Sequence, residues 1–260
     1  MPTDTAKQAD LALPKVTPAE QRRASKIYDL LLERHPDAHC ELTYTKSHEL
    51  LIATILSAQT TDVAVNKATP ALFKKFPTPK AFANATPKEI EPYVASLGFF
   101  RNKAKAVHES MKAIVERHHG QVPDTMEELL QLRGVARKTA NVVLGNAFGK
   151  NEGVVVDTHV ARLAVRFGFA EEGATPQAIE RRLMALFPRD TWCMLSHLLI
   201  FHGRRVSTAR AYNLDELDGE LAKYCSFAKA TKAAKKKTSK PNKKKASKKK
   251  TTKKKVIKQR

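Results

Sequence analysis

The 260-residue chain reads as an all-α protein. Apolar residues recur at the i, i+3, i+4 spacing of helices along most of it, and no sustained alternation of period two suggests a strand. Ala and Leu are abundant, while only ten residues are Gly. With 42% hydrophobic residues the chain has material for one large core or two modest ones. No apolar run approaches membrane-spanning length, and the N-terminus has no apolar stretch of signal-peptide type. Three cysteines, Cys40, Cys193 and Cys225, form no disulfide framework and indicate a reducing compartment.

Residues 1–17 are polar, contain Ala and Pro, and are expected to be disordered. Further along, Pro123-Asp124-Thr125-Met126-Glu127-Glu128 reads as a helix start, with Asp124 or Thr125 as cap and a glutamate three residues on completing a capping box. Met126, Leu129 and Leu130 form its apolar face, and Gly134 is expected to close it. A second helix begins near Arg137. On a 3.6 period Ala140, Val143, Leu144 and Ala147 share its core face, and Lys138, Asn141 and Gly145 lie opposite. A short glycine turn between two helices leaves backbone N–H groups open at the second helix's start, which suits a phosphate.

The run Val154-Val155-Val156 leads into Asp157, and Val160, Leu163, Ala164 and Phe167 then mark another helix face, which Gly168 closes. Lys138 and Asp157 thus stand at the starts of two successive helices. An amine able to attack a sugar carbon, beside a carboxylate able to stabilise the resulting cation, is the minimum apparatus for cutting a base out of DNA. Each residue also has a plainer role, Lys138 as a solvated surface charge and Asp157 as an N-cap.

Four motifs, in order, carry a resemblance. Leu56-Ser57-Ala58-Gln59-Thr60-Thr61-Asp62-Val63-Ala64-Val65-Asn66-Lys67-Ala68 comes first, then Gly98-Phe99-Phe100-Arg101-Asn102-Lys103-Ala104. Leu132-Arg133-Gly134-Val135-Ala136-Arg137-Lys138-Thr139-Ala140 with Val156-Asp157-Thr158-His159 follows, and His202-Gly203-Arg204 is last. From about residue 20 to 205 the chain resembles the endonuclease III family of helix-hairpin-helix DNA glycosylases and AP lyases. The resemblance implies two helical domains flanking a DNA-binding cleft. Residues 40–150 would form a six-helix barrel carrying the hairpin, and 18–39 with 151–228 a second domain, so that Lys138 and Asp157 face each other across the cleft.

It further implies that Lys138 attacks C1′ of a damaged nucleotide and that Asp157 assists. Gln59 and Phe99 would fill the space left by the extruded base, while Arg133, Gly134, Val135, Ala136, Arg137, Lys67 and His159 would contact DNA. The partner would be double-stranded DNA with damaged bases or abasic sites, met by a monomer without membrane attachment. The compartment would be the nucleoid-bearing cytoplasm of a bacterium or the nucleus of a eukaryote. A monofunctional glycosylase of the same superfamily would lack the hairpin lysine. A non-catalytic DNA-compacting protein is the alternative from another class.

The chain departs from the family at several points. Arg133 and Ala136 replace a proline and a glycine of the hairpin, and alanine is costly there only if φ is positive. Most relatives hold a 4Fe–4S cluster on four cysteines after the HGR motif. Here the corresponding positions are Ser207, Leu214, Leu217 and Cys225. One thiol cannot hold a cubane cluster, so no cluster, metal or other cofactor is expected. A zinc site from Cys193, His197 and His202 lacks a fourth ligand. Leu214, Leu217, Leu221 and Tyr224 recur at helical spacing and predict a short helix that packs on the domain instead.

Residues 226–260 hold sixteen lysines, Arg260 and no acid, so 17 of the formal +21 charge lies there and the rest of the chain carries about +4. The tail, 229–260 in particular, is expected to be disordered and to lie along nucleic acid without sequence preference. Its plainer reading is a solubilising tail, or a nuclear address if the source is eukaryotic.

Overall fold

The computed structural model describes residues 12–209 and 219–224. Among them are α1 (Pro18–Arg34), α2 (Ser47–Leu56), α3 (Asp62–Lys75), α4 (Pro79–Asn84), α5 (Pro87–Val94) and α6 (Phe100–Arg117). There follow α7 (Met126–Leu129), α8 (Arg137–Phe148), α9 (Thr158–Arg166), α10 (Pro176–Leu186), α11 (Trp192–Arg205) and α12 (Gly219–Tyr224). No strand occurs among the described residues, and no helix there is long and apolar enough to cross a membrane.

Four of these helices start at a Thr-Pro pair: Thr17-Pro18, Thr78-Pro79, Thr86-Pro87 and Thr175-Pro176. Proline at the first helical position has its φ preset and gives up an N–H that would be unpaired anyway, while the threonine before it caps. At α1 the cap is reciprocal. Glu20 N–H donates to Thr17 Oγ1 at 3.2 Å, and Thr17 N–H donates to Glu20 Oε2 at 2.8 Å. The Thr17 bonds, followed by that from Arg182, draw the Glu20 carboxyl down to about 2. Residues 12–17, expected to be disordered, are therefore placed in part by this cap. Val16 also packs against a core, and Arg182 donates to the Lys15 carbonyl at 3.3 Å. Residues 1–11 and the Lys-rich tail lie outside the described residues.

Two hydrophobic cores form. One draws on residues from Leu42 to Leu144 and centres on α2, where nine of ten residues are buried. A helix apolar on all sides belongs inside a bundle, and α2 packs on α3, α6 and α8. The other core joins Ala24–Ala38 to Val154–Leu221, with α11 against α1 and α9. Of the predicted C-terminal helix, α12 is described. Leu221 is 1% exposed in the second core, and Arg23 donates to the Tyr224 carbonyl at 2.6 Å. Leu214 and Leu217 lie outside the described residues.

The two cores meet where α8 packs on α11. At Gly145 a Cβ would come within 2.8 Å of Cys193 Sγ, so glycine permits this close approach. The face of α8 opposite its core residues is thus not a solvent face throughout. Asn141 is 5% exposed and donates to Glu180 of α10 at 2.9 Å, whereas Lys138 remains exposed.

Candidate active site

The hairpin before α8 is held from inside the first core. Thr125 caps α7 by accepting from Glu128 N–H, but α7 ends at Leu129 rather than running on to Gly134. The chain then descends through tight turns (Gln131 N–H to Glu128 O, Leu132 N–H to Leu129 O) that deliver Leu132 to the core. Ser110 of α6 fastens the loop by donating to the Arg133 carbonyl at 2.6 Å. Gly134 has φ +79°, a conformation that favours glycine, and a Cβ there would stand in tight contact, 3.1 Å from Ala106 Cβ. Ala136 has φ −100° and ψ 171°, which alanine adopts freely, so its replacement of the family glycine carries no strain.

Ala136 offers no side-chain cap. The N–H groups of Arg137, Lys138 and Thr139 find no acceptor among the described residues. Such a helix start is a ready anion site.

Lys138 and Asp157 line one groove of about 1150 Å³, and both also line a narrower recess of about 90 Å³ that opens from it. Lys138 makes no hydrogen bond or ion pair among the described residues. Asp157 is the N-cap of α9, and His159 N–H and Val160 N–H both donate to its Oδ1 at 2.8 Å. Oδ2 has no partner among the described residues. One carboxylate oxygen therefore fixes the helix start while the other is left to act on whatever enters.

Gln59 and His159 also line the groove. Gln59 has φ +53°, and Phe99 φ +56°. Holding a residue with a Cβ in left-handed backbone costs on the order of 1–3 kcal/mol and persists where the surrounding structure over-determines it, as at His119 (φ +52°) after α6 as well. Phe99 is 67% exposed, a large apolar side chain standing in solvent, while its neighbour Phe100 packs on the first core.

Several predicted DNA contacts are engaged elsewhere. Arg137 corrects the sequence expectation: its Nε donates to both Glu180 oxygens at 3.0 Å and its Nη2 to the Glu152 carbonyl at 3.1 Å. The guanidinium is turned toward the second core, away from a phosphate at the hairpin. Arg133 pairs with Glu109 at 2.8 Å but stays half exposed. Val135 is 7% exposed, and its backbone N–H donates to the Leu132 carbonyl at 3.2 Å. Lys67 is exposed on α3, outside the groove lining. His159 Nδ1 lies 3.1 Å from Arg162 Nη2.

An ionic bridge across the groove was not foreseen. Arg204 of α11 bonds to Glu41 Oε2 and, at 2.8 Å, to Asp62 Oδ2 at the start of α3. Both Asp62 and Arg204 lie in the recognised motifs, which was the one available signal. The recess also holds a second polar group. Burial pushes His197 down to about 4, and the neutral ring lies with Nε2 2.8 Å from Asn146 Oδ1 and 3.6 Å from Cys193 Sγ. His202 does not join them. It is fully buried against His35, at 3.1 Å between ring nitrogens. The three side chains weighed as a zinc site are thus divided between two environments.

Residues 52–189 match the HhH-GPD superfamily of base excision DNA repair proteins. Endonuclease III of Synechocystis sp. is 48% identical over 213 residues, which span 82% of this chain and 96% of that protein. Endonuclease III of Bacillus subtilis is 40% identical over 176 residues, 68% of this chain and 80% of that protein. A solved trapped endonuclease III–DNA covalent intermediate, in an estranged-adenine complex, superposes with a TM-score of 0.75 at 36% identity. The alignment covers 84% of this chain and 100% of that one.

Proposed function

The chain belongs to the endonuclease III family within the HhH-GPD superfamily of base excision DNA repair proteins, and on that premise we propose that it is a bifunctional DNA glycosylase and AP lyase acting on oxidised pyrimidines. The observation that carries this reading is the convergence of Lys138 and Asp157 on one recess, the amine unpaired and the acid with a free oxygen. A relative of the same fold has been trapped covalently on DNA, which is the outcome an amine nucleophile gives.

The target nucleotide must leave the stack before its glycosidic bond can be reached, and damage lowers that cost. Gln59 and Phe99 fill the vacated space. The Asp157 carboxylate faces the sugar as positive charge develops there, while Lys138 reacts as the free amine. Nζ then bonds to C1′ as the base leaves with the glycosidic electron pair. Asp157 takes the proton that the bonded Nζ gives up and passes it to O4′ as the C1′–O4′ bond breaks, and the opened sugar is a protonated imine between Nζ and C1′, which acidifies the 2′ proton. Loss of that proton expels the 3′ phosphate by β-elimination, and water returns Lys138 to the free amine. The open N–H groups at the start of α8 hold a backbone phosphate beside the reacting sugar.

We also propose that the chain works without the iron–sulfur cluster of its relatives, because its residues do not suit one. A cubane cluster needs thiolates. At the first expected ligand, Ser207 is 6% exposed and its hydroxyl accepts from Arg166 at 2.6 Å. Leu214, Leu217 and Cys225 lie outside the described residues. The partner is duplex DNA carrying damaged bases or abasic sites, met by a monomer in the compartment that holds the chromosome, bacterial cytoplasm or eukaryotic nucleus.

Borohydride trapping on duplex DNA with thymine glycol tests the assignment. The full chain should crosslink, with the adduct mapping to the peptide containing Lys138. A Lys138→Ala protein that still crosslinks within residues 12–209 would refute it.

A further inference from the structure

The two left-handed tips at Gln59 and Phe99 stand on different loops, α2–α3 and α5–α6, and one buried lysine joins them. Lys103, in the first turn of α6, is 5% exposed, and its Nζ donates to Thr60 Oγ1 at 2.5 Å. Its backbone N–H donates to the Phe99 carbonyl at 3.1 Å. Thr60 directly follows Gln59 and is tied into the same turn, its N–H donating to the Ser57 carbonyl at 3.0 Å. A single residue therefore spans from the backbone of one tip to the neighbour of the other.

Stability does not account for this arrangement. An ammonium has three donors, and here its one acceptor among the described residues is a neutral hydroxyl. Burial works against its charged form, pushing its pKa down, and no carboxylate offsets that. An apolar side chain of similar length would fill the space at no loss, or at a gain. What such a side chain would lack is the fixed tie between the loops.

We propose that Lys103 is a positioning residue that sets the separation of the Gln59 and Phe99 tips, so that both enter the base stack at the same step as the damaged nucleotide is extruded. This inference rests on the glycosylase reading above. It assigns Lys103 no contact with the reacting sugar. Its effect is greatest where extrusion is most costly, at a base still paired and stacked, and smallest at an abasic site.

The test uses the full chain with Lys103→Met, Thr60→Val and Thr60→Ser. Single-turnover rates are measured on duplexes holding either thymine glycol or a preformed abasic site. A 2-aminopurine opposite the lesion reports estrangement by fluorescence. Lys103→Met should melt at or above the wild-type temperature. Its thymine glycol excision should fall by about tenfold or more beyond any fall in abasic cleavage, with the fluorescence rise lost in parallel. Thr60→Val should reproduce this, and Thr60→Ser should restore it. The proposal is overturned if both rates fall equally and track a lowered melting temperature, or if either disrupting variant excises thymine glycol as the wild type does. A wild-type protein inert on thymine glycol would instead overturn the glycosylase reading, and this inference with it.

Discussion

Arg137 and Glu180 join the hairpin helix to α10 through two bonds of 3.0 Å from one nitrogen, and the carboxylate is 6% exposed. Asn141 donates to the same carboxylate at 2.9 Å, so Glu180 serves two partners across the boundary between the cores. Replacing it by Gln leaves a part-buried guanidinium facing an amide. Breaking such a pair from one side should cost roughly 3 kcal/mol in urea unfolding. The combination Arg137→Met, Asn141→Leu and Glu180→Leu should recover much of that loss, since neither an unpaired charge nor a buried amide without its acceptor remains. If Glu180→Gln unfolds like the wild type, the bridge contributes nothing to joining the cores.

Asp157 combines two roles that substitution separates. Asparagine caps helices as well as aspartate does. Asp157→Asn should therefore keep the bonds from His159 and Val160 and unfold within about 0.5 kcal/mol of the wild type, while excision falls by about 10²–10⁴. Asp157→Ala should lose both, with a further cost of about 1 kcal/mol for the missing cap. Equal loss of activity and stability in the asparagine protein would make Asp157 a cap and nothing more.

Much of this site was legible because its signals are local. The capped start at Thr125, the helix start at Arg137 and the apolar run into Asp157 all depend on residues within a few positions. What sequence missed is long-range. Nothing near Arg137 announces that Glu180, 43 positions on, will take its guanidinium, so the local sequence presents Arg137 as a phosphate contact. Helical periodicity places Asn141 on the side away from the core for the same reason, and a second core covers that side. The shortened α7 follows from the Ser110–Arg133 bond and the descent of Leu132, neither of which periodicity contains. The left-handed backbone at Gln59 and Phe99 has no propensity signal, and only the motif pointed to those two residues.

The tail should act on affinity and leave the chemistry alone. It carries 17 of the chain's formal +21, and each phosphate it neutralises releases a counterion. A chain ending at residue 228 should bind undamaged duplex more weakly at low salt, with a shallower slope of log K against log salt. At saturating protein its single-turnover excision rate should match the full chain. A slope unchanged by the truncation would leave the tail without a DNA role.

Buried imidazoles should make the fold sensitive to mild acid. His202 is pushed down to about 3, first by burial and then by its neighbours His35, Arg34, Arg162 and Arg166, and His197 to about 4 by burial. Both sit below the unfolded value of about 6.5, so the unfolded chain takes up protons first as pH falls. The stability they contribute is fully present above pH 6.5 and drains away between there and their folded values. By pH 5 each ring should cost about 1–2 kcal/mol relative to pH 7. Carboxylates behave differently: Glu20, held at about 2, gives up its share only between about pH 4.5 and 2. Urea unfolding between pH 7.5 and 5 therefore isolates the histidines. His202→Gln should lower stability at pH 7.5 but flatten the decline toward pH 5, because one proton uptake has been removed. A decline just as steep in that protein would show that the acid sensitivity arises elsewhere.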